Sequence, residues 1–442
     1  MAPPDPVRPG GIGAAVAAAN QRARGTMLRN HGGGHAPVSY LELFFDLVYV
    51  FAITQLSHTL HHHLSWHGLA EGLVLFLAVW WAWIFTTWVT NWANPDRAAV
   101  RVLLMALMLL GLALSAAIPD AFGASGLVFA GCYVAIQLGR TLATMAVMRG
   151  EDRARLRNMG RIALWFACAA PLWIAGALAG PDSRLALWLA ALGIEYTGPM
   201  VLFRTPVLGR SGLTDWDISG SHMAERCALF IIIALGEGIV VTGSAFAQGS
   251  MDGGQVGGLC LAFLSAALMW WLYFDLGADR GARLISGHSQ AGRLARNAYT
   301  YLHMPIVLGI VVSAVGDALL LERPEGPASA ALVAMQSGGA ILFLAGLGLF
   351  KRFANTLGNF PMSHTVAIVL ILLLALSASA HPIPAISFAA GVVALLFLAC
   401  LWEWVSYHGG WMERMEALGM RFPAWVRERA ERRRAAIEQQ RG

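Results

Sequence analysis

Apolar runs of about twenty residues recur along nearly the whole chain, separated by short stretches that carry charge, glycine or proline. Read for such runs, the sequence predicts spans at 40–62, 69–90, 101–118, 122–148, 161–180, 185–203, 222–246, 256–277, 299–321, 329–350, 364–380 and 384–406. Each can cross a hydrocarbon core of about 30 Å as a helix. The runs are continuous and rich in Leu and Ala, with none of the short alternating segments of a membrane barrel. The expected fold is therefore an all-α polytopic membrane protein with twelve transmembrane helices.

Lys and Arg distribute around those spans in a way that sets an orientation. The N-terminal stretch, the connections after every even-numbered span and the C-terminal stretch hold 27 of the 31 Lys and Arg residues. The connections after odd-numbered spans hold only Arg184 and Arg323, while Arg140 and Arg226 fall within or at the edge of helices. Positive residues flanking spans stay on the cytosolic side, so both termini are expected there. Residues 1–36, rich in Pro, Gly and Ala, read as a disordered cytosolic arm, and residues 409–442 as a basic amphipathic cytosolic tail.

Composition excludes whole classes of function. With 57% hydrophobic and 13% charged residues, the 442-residue chain has too little polar material for a water-soluble surface, which rules out a soluble enzyme. The net charge of +5 sits where anionic headgroups meet it, so the bilayer is the expected partner and nucleic acid is not. Five cysteines, all inside predicted spans and none in a CxxC pair, point to packing rather than to disulfides or structural zinc. No GxxxxGK[ST] motif is present, which argues against ATP coupling within the chain.

Weak internal likeness suggests duplication. Span 3 (MALMLLGLALSAAIPDAF) and span 9 (HMPIVLGIVVSAVGDAL) align Gly111 with Gly309 and Ser115 with Ser313, followed by Asp120 and Asp317. Glu195 and Glu403 close spans 6 and 12, Trp80-Trp81 and Trp270-Trp271 recur in spans 2 and 8, and Glu42 and Glu225 open spans 1 and 7. The expectation is a six-plus-six parallel repeat, with six-helix halves at 37–210 and 211–408.

An ionised group in hydrocarbon is costly enough to be a functional candidate by default. Those candidates are Glu42 and Asp46 on span 1, His222, Glu225, Arg226 and Glu237 on span 7, Asp275 ending span 8, and Tyr299 and His303 opening span 9, with Glu195 and Glu403 as weaker members. At 100° per residue, Glu42 and Asp46 share a helix face, as do Tyr299 and His303, and the four span 7 residues occupy one sector of about 120°. Such a layer suits an inner-leaflet vestibule in which carboxylates share protons or bind a cation. The bland alternative is that residues near span ends snorkel to headgroups or cap helices; it weighs most on Glu195, Glu403 and Asp275. His222, Glu225 and His303 are the candidate ligands for a divalent metal, the one cofactor the residues suggest. Two functions follow: a cation- or proton-linked transporter or channel, or an intramembrane enzyme using acid/base or metal-assisted chemistry on a lipid-like small molecule.

Two further features carry alternatives. The string SHTLHHHLSWH supplies His58, His61, His62, His63 and His67, a wet interfacial segment or a site for a transition metal. Tryptophans cluster as WWAWIFTTWVTNW between Trp80 and Trp92, where interfacial anchoring is expected and an aromatic substrate wall is the alternative.

The string LELFFDLVYVFAITQLS at 41–57 resembles the first-helix signature of the low-temperature-requirement A (LtrA) family of bacterial membrane proteins. HMAERCALFIIIALGEGIV at 222–240 and YTYLHMP at 299–305 are similar to two further signatures of that family, so the likeness covers about 35–408. It implies a multi-pass protein of the bacterial inner membrane and assigns no role to Glu42, Asp46, His222, Glu225, Arg226, Glu237 or His303 within the matching motifs. The segment 44–54 is also similar in spacing to the first helix of six-span-repeat potassium channels, with Phe45 where those have Ser.

Overall fold

The computed structural model describes residues 27–29, 37–149, 153–212, 219–275, 296–354 and 359–407, with short pieces at 415–416, 419–428 and 431–432. Most of the expected N-terminal arm and of the C-terminal tail lies outside them. Twelve long helices are present among the described residues: α1 Tyr40–His62, α2 Trp66–Trp92, α3 Ala98–Ala117, α4 Gly126–Met148, α5 Arg153–Leu178, α6 Pro181–Met200, α7 Gly220–Ala247, α8 Gly253–Phe274, α9 His303–Glu322, α10 Ala330–Ala354, α11 Met362–Ala380 and α12 Ala385–Tyr407. They coincide one for one with the predicted spans. Eleven are long and apolar enough to cross a membrane, and α6 falls short because it carries Asp182, Arg184 and Glu195. The protein is an all-helical polytopic membrane protein.

Local chemistry starts these helices where the chain needs them. Ser39 and Glu42 form a capping box at α1: the Ser39 backbone N–H and hydroxyl donate to Glu42 Oε2 at 2.8 and 2.9 Å, and the Glu42 N–H donates back to Ser39 Oγ at 3.3 Å. Pro181 occupies the first turn of α6, where its missing N–H costs nothing. Asp252 caps α8 by accepting from the Gln255 N–H at 2.8 Å, and the hydroxyl of Ser250 helps hold its carboxyl below the usual range. A seven-residue π-helix, Arg296–Leu302, leads into α9.

By contacts the chain divides into two compact units, Met1–Tyr49 with Leu77–Met223 and Val50–Phe76 with Ala224–Gly442. In the first, α3 to α6 pack in sequence order and α2 is the most enclosed element. Trp80, Trp81, Trp83, Trp88 and Trp92 are all buried, Trp81 stacking on Tyr196 at 3.8 Å between ring centres. The aromatic run expected at the membrane interface is core instead, because α2 is surrounded by helices and its indoles fill the space between them. Trp270 and Trp271 are about half exposed, so the pair matched to Trp80 and Trp81 by sequence meets a different environment. Residues 27–29, within the expected arm, are ordered: Arg29 N–H donates to Trp92 O at 2.7 Å and Asn94 N–H to Met27 O at 3.0 Å.

Arg184, an exception to the charge pattern read from the sequence, has a structural use. Its guanidinium donates to the carbonyls of Gly176 (3.2 Å) and Ala177 (3.0 Å) at the end of α5, and to Ala121 (2.9 Å) and Gly123 (2.8 Å) after α3. Carbonyls at a helix end have no partner within the helix, and a cation there also meets the negative end of the helix dipole.

In the second unit the tightest pair is α9 and α10. A Cβ on Gly309 would lie 2.5 Å from the Phe343 backbone nitrogen, and one on Gly339 2.3 Å from Ser313 Oγ. Only glycine lets the two backbones approach this far, and in a bilayer such close packing is a main source of helix association. Gly309→Val is therefore expected to lower thermal stability in detergent by about 1–3 kcal/mol or more, whereas Gly338→Ala, which meets nothing within 4 Å, is expected to be neutral or slightly stabilising. Equal melting temperatures for the two variants would contradict the packing account.

Candidate functional site

The sequence candidates resolve into separate nests, each built by the ends or faces of particular helices. In the first unit, the capping box leaves Glu42 Oε1 free to face His222 at the start of α7. The His222 Nε2–Glu42 Oε1 distance is 2.8 Å, and Arg29 Nη1 lies 2.9 Å from the same nitrogen and 3.4 Å from Glu42 Oε1. Arg29 is held in turn by the carbonyls of Thr90 (3.1 Å) and Pro37 (2.6 Å). The far side of the ring is set by Asn91, whose Nδ2 stands 3.2 Å from His222 Nδ1. Asn91 is itself clamped by Ser219, accepting its N–H at 3.0 Å and donating to its carbonyl at 3.0 Å.

With the Asn91 oxygen engaged by the Ser219 N–H, its amide nitrogen faces His222 Nδ1 as a donor, while Nε2 lies between the Glu42 carboxylate and the Arg29 guanidinium. All four groups are buried or nearly so, and both carboxylate oxygens of Glu42 are engaged. The arrangement is a lock joining the start of α1, the end of α2 and the start of α7. Deeper along α1, Asp46 accepts from Trp83 Nε1 at 2.7 Å.

Glu195 belongs to another nest. It accepts a very short hydrogen bond from the Tyr133 hydroxyl and one from Trp173 Nε1 at 2.9 Å. Gln137 donates to Tyr133 Oη at 2.9 Å and accepts from Arg140, whose guanidinium also reaches the carbonyl of Ala82 (3.2 Å) and lies over the ring of Phe85. Arg140 and Glu195 are therefore linked through Gln137 and Tyr133, which spreads an ion pair over two neutral groups in a fully buried site.

The second unit holds the remaining candidates. His303 is completely buried; its Nδ1 faces the Ala298 carbonyl at 3.0 Å and its Nε2 the Tyr273 hydroxyl at 2.9 Å, while Tyr299 and Phe350 pack against the ring. Glu403 is caught between Lys351 (2.5 Å), His364 (2.9 Å) and Ser363 (3.3 Å). Sequence reasoning missed Lys351 and His364 as partners, since one read as a loop charge and the other as part of an apolar run. Asp275 is exposed at the end of α8, Glu225 is half-buried and Arg226 is fully buried on α7. Glu237 is buried on α7, and its Oε1 has no hydrogen-bond partner among the described residues.

Among the described residues no group of three His, Cys, Asp or Glu side chains is arranged to hold an ion. His222 and His303 already have polar groups facing both ring nitrogens, so neither offers a free lone pair to join Glu225. The histidine run is also less solitary than its sequence suggests: His61 lies 3.0 Å from Glu322 and His67 3.2 Å from Glu71.

The Glu42 lock makes a measurable claim. Glu42→Ala leaves a buried guanidinium and imidazole without their anion, at an expected cost of about 3–5 kcal/mol in stability. Glu42→Ala and His222→Ala should be strongly non-additive in a double-mutant cycle of melting temperatures, and additive losses would show that the two side chains act separately.

Comparison with known proteins meets this architecture at one point. The sequence profile described as "Bacterial low temperature requirement A protein (LtrA)" matches residues 37–401, from the start of α1 into α12, leaving Arg29 and Glu403 outside it. The uncharacterized protein RA0937 of Rhizobium meliloti (strain 1021) is 39% identical over 384 residues, which span 86% of this chain and 92% of the relative. No solved structure matches. The match of the profile over most of the chain, together with a relative of this identity and coverage, means that the chain belongs to the bacterial low temperature requirement A family.

Proposed function

We propose that this membrane protein is a cation- or proton-linked transporter or channel of the bacterial inner membrane. Its termini face the cytosol and its twelve helices descend from a duplicated six-helix unit. The observation that carries the reading is Glu237. It lies 15 residues beyond His222 along α7, about 22 Å at 1.5 Å per residue, and its buried Oε1 has no protein donor among the described residues. A carboxylate oxygen buried at that depth without a donor is unfavourable by several kcal/mol unless a proton, a cation or water satisfies it. Among the other deep carboxylates, Asp46 accepts from Trp83 and Glu195 from Tyr133 and Trp173, whereas Glu237 Oε1 is left with chemistry to do.

In this reading Glu237 binds or relays the ion, and Glu225 on the same helix feeds it. Asp46, fixed by Trp83, serves the first unit in the same capacity. Arg226 and His303 set the local electrostatics, while Glu42 and His222 hold the helix starts in register. Replacing Glu237 with Gln keeps the shape and removes the charge, so cation or proton flux in proteoliposomes should fall to the level of empty vesicles. Flux equal to that of the unaltered protein would remove the basis of the proposal.

A further inference from the structure

Asp317 lies outside every nest described above. It sits on α9 five residues before Glu322, about 7–8 Å inside the helix end, and is more than nine-tenths buried. The sequence aligns it loosely with Asp120, but Asp120 is exposed and accepts from the Ser125 N–H at 3.0 Å as part of a turn. Asp317 instead receives a single amide donor, Gln336 Nε2 on α10, at 3.1 Å. The equivalence also fails one turn back: Ser115 donates to the Gly111 carbonyl at 2.7 Å, while Ser313 Oγ is buried with no hydrogen-bond partner among the described residues. Gln336 Oε1 is buried and equally without a partner there.

These groups surround empty space. A cavity of about 20 Å³ lies among α7, α8 and α9, and a second of about 10 Å³ among α8, α9, α10 and α12. Ser265, Ser313 and Asp317 line both, Thr242 only the first and Gln336 only the second. Ser313 and Asp317, four residues apart, share one face of α9. Glycine at 339 is what leaves the Ser313 hydroxyl room, since a Cβ there would collide with it. The larger cavity has the volume of one water-sized body, since about 10–15 Å³ suffices for that, and is far below the roughly 300 Å³ of a small-molecule pocket.

The donor set selects the occupant. It is composed of oxygen, with one carboxylate and no nitrogen or sulfur ligand, which disfavours transition metals. Calcium asks for six to eight oxygens and magnesium for a strict octahedron, commonly with more than one acidic ligand, whereas this site offers a single negative charge. One charge is balanced by one monovalent cation. A proton on Asp317 would neutralise the carboxylate and supply one O–H, enough for only one of the Ser313 and Gln336 oxygens, while a cation recruits both.

We propose that the paired cavities between α8, α9 and α10 form a binding site for one partly dehydrated alkali cation, coordinated by Asp317, Ser313 Oγ, Gln336 Oε1 and the Ser265 hydroxyl. The site is independent of the role given to Glu237. Sodium is the probe of first choice because small oxygen cages favour the smaller, harder alkali ions.

The test uses the full chain purified in detergent, with melting temperature followed as NaCl replaces choline chloride at constant ionic strength and fixed pH. A saturable rise of about 2–5 °C at tenfold excess over the dissociation constant is expected for the unaltered protein. Asp317→Asn and Ser313→Ala should each remove or strongly weaken that rise, and equilibrium binding of radioactive sodium should fall in parallel. If Asp317→Asn does not yield a monodisperse protein, Ser313→Ala and Gln336→Leu carry the same readout. No sodium response in the unaltered protein, an undiminished response in the variants, or a response to pH alone would each overturn the proposal. Ion flux is not read in this experiment, so a failed Glu237 assignment and a failed sodium site are told apart.

Discussion

A charged or polar atom carried into hydrocarbon loses its water and finds no replacement in lipid, so the protein itself must supply the partner. In this molecule that requirement organises nearly everything. Arg184 gathers orphaned carbonyls at helix ends, Glu195 is tied to Arg140 through Tyr133 and Gln137, and Glu403 is held by Lys351 and His364. Each arrangement fixes the positions of three or more helices, because breaking it would strand a charge where none can be solvated. Apolar packing alone discriminates poorly among helix arrangements in a bilayer, since lipid tails are as apolar as leucine. Polar nests therefore contribute specificity of assembly.

Against that background, the few buried polar atoms left without a protein partner stand out. Glu237 Oε1, Ser313 Oγ and Gln336 Oε1 are three such atoms among the described residues, on α7, α9 and α10. Close packing of α9 on α10 through Gly309 and Gly339 leaves Ser313 and Gln336 little slack to swing toward a donor. A rigid frame with an unsatisfied oxygen is what an ion-binding site requires, because the site must be held open against its own collapse.

Much of the architecture was legible in the chain. Twelve apolar runs became twelve helices with boundaries within about four residues except at the start of α5, which begins eight residues early at Arg153, since continuous hydrophobicity of span length has one stable outcome in a bilayer. Glu42 was legible as a candidate, and so was its partner His222, but not the lock they make. The structure adds a capping box at 39–42, and nothing in the sequence says that the second oxygen of the same carboxylate meets a histidine 180 positions away. Trp80 to Trp92 misled in the opposite direction: tryptophan enrichment near a span end resembles an interfacial belt, and only burial by neighbouring helices reveals a core. Asp317 entered the sequence reading only as the counterpart of Asp120, and the structure separates them by what packs beside each.

The amino-acid order by itself determined the helical class, the number of long helices, the membrane setting and the family. These properties depend on hydropathy and on motif strings that lie contiguous in the chain. Tertiary structure alone decided which polar groups close on one another and which stay open. That choice is made by partners from distant helices, such as Asn91 with His222 or Gln336 with Asp317, and by glycine contacts that bring two backbones together. A one-dimensional pattern records the cost of a buried charge but not the neighbour that offsets it.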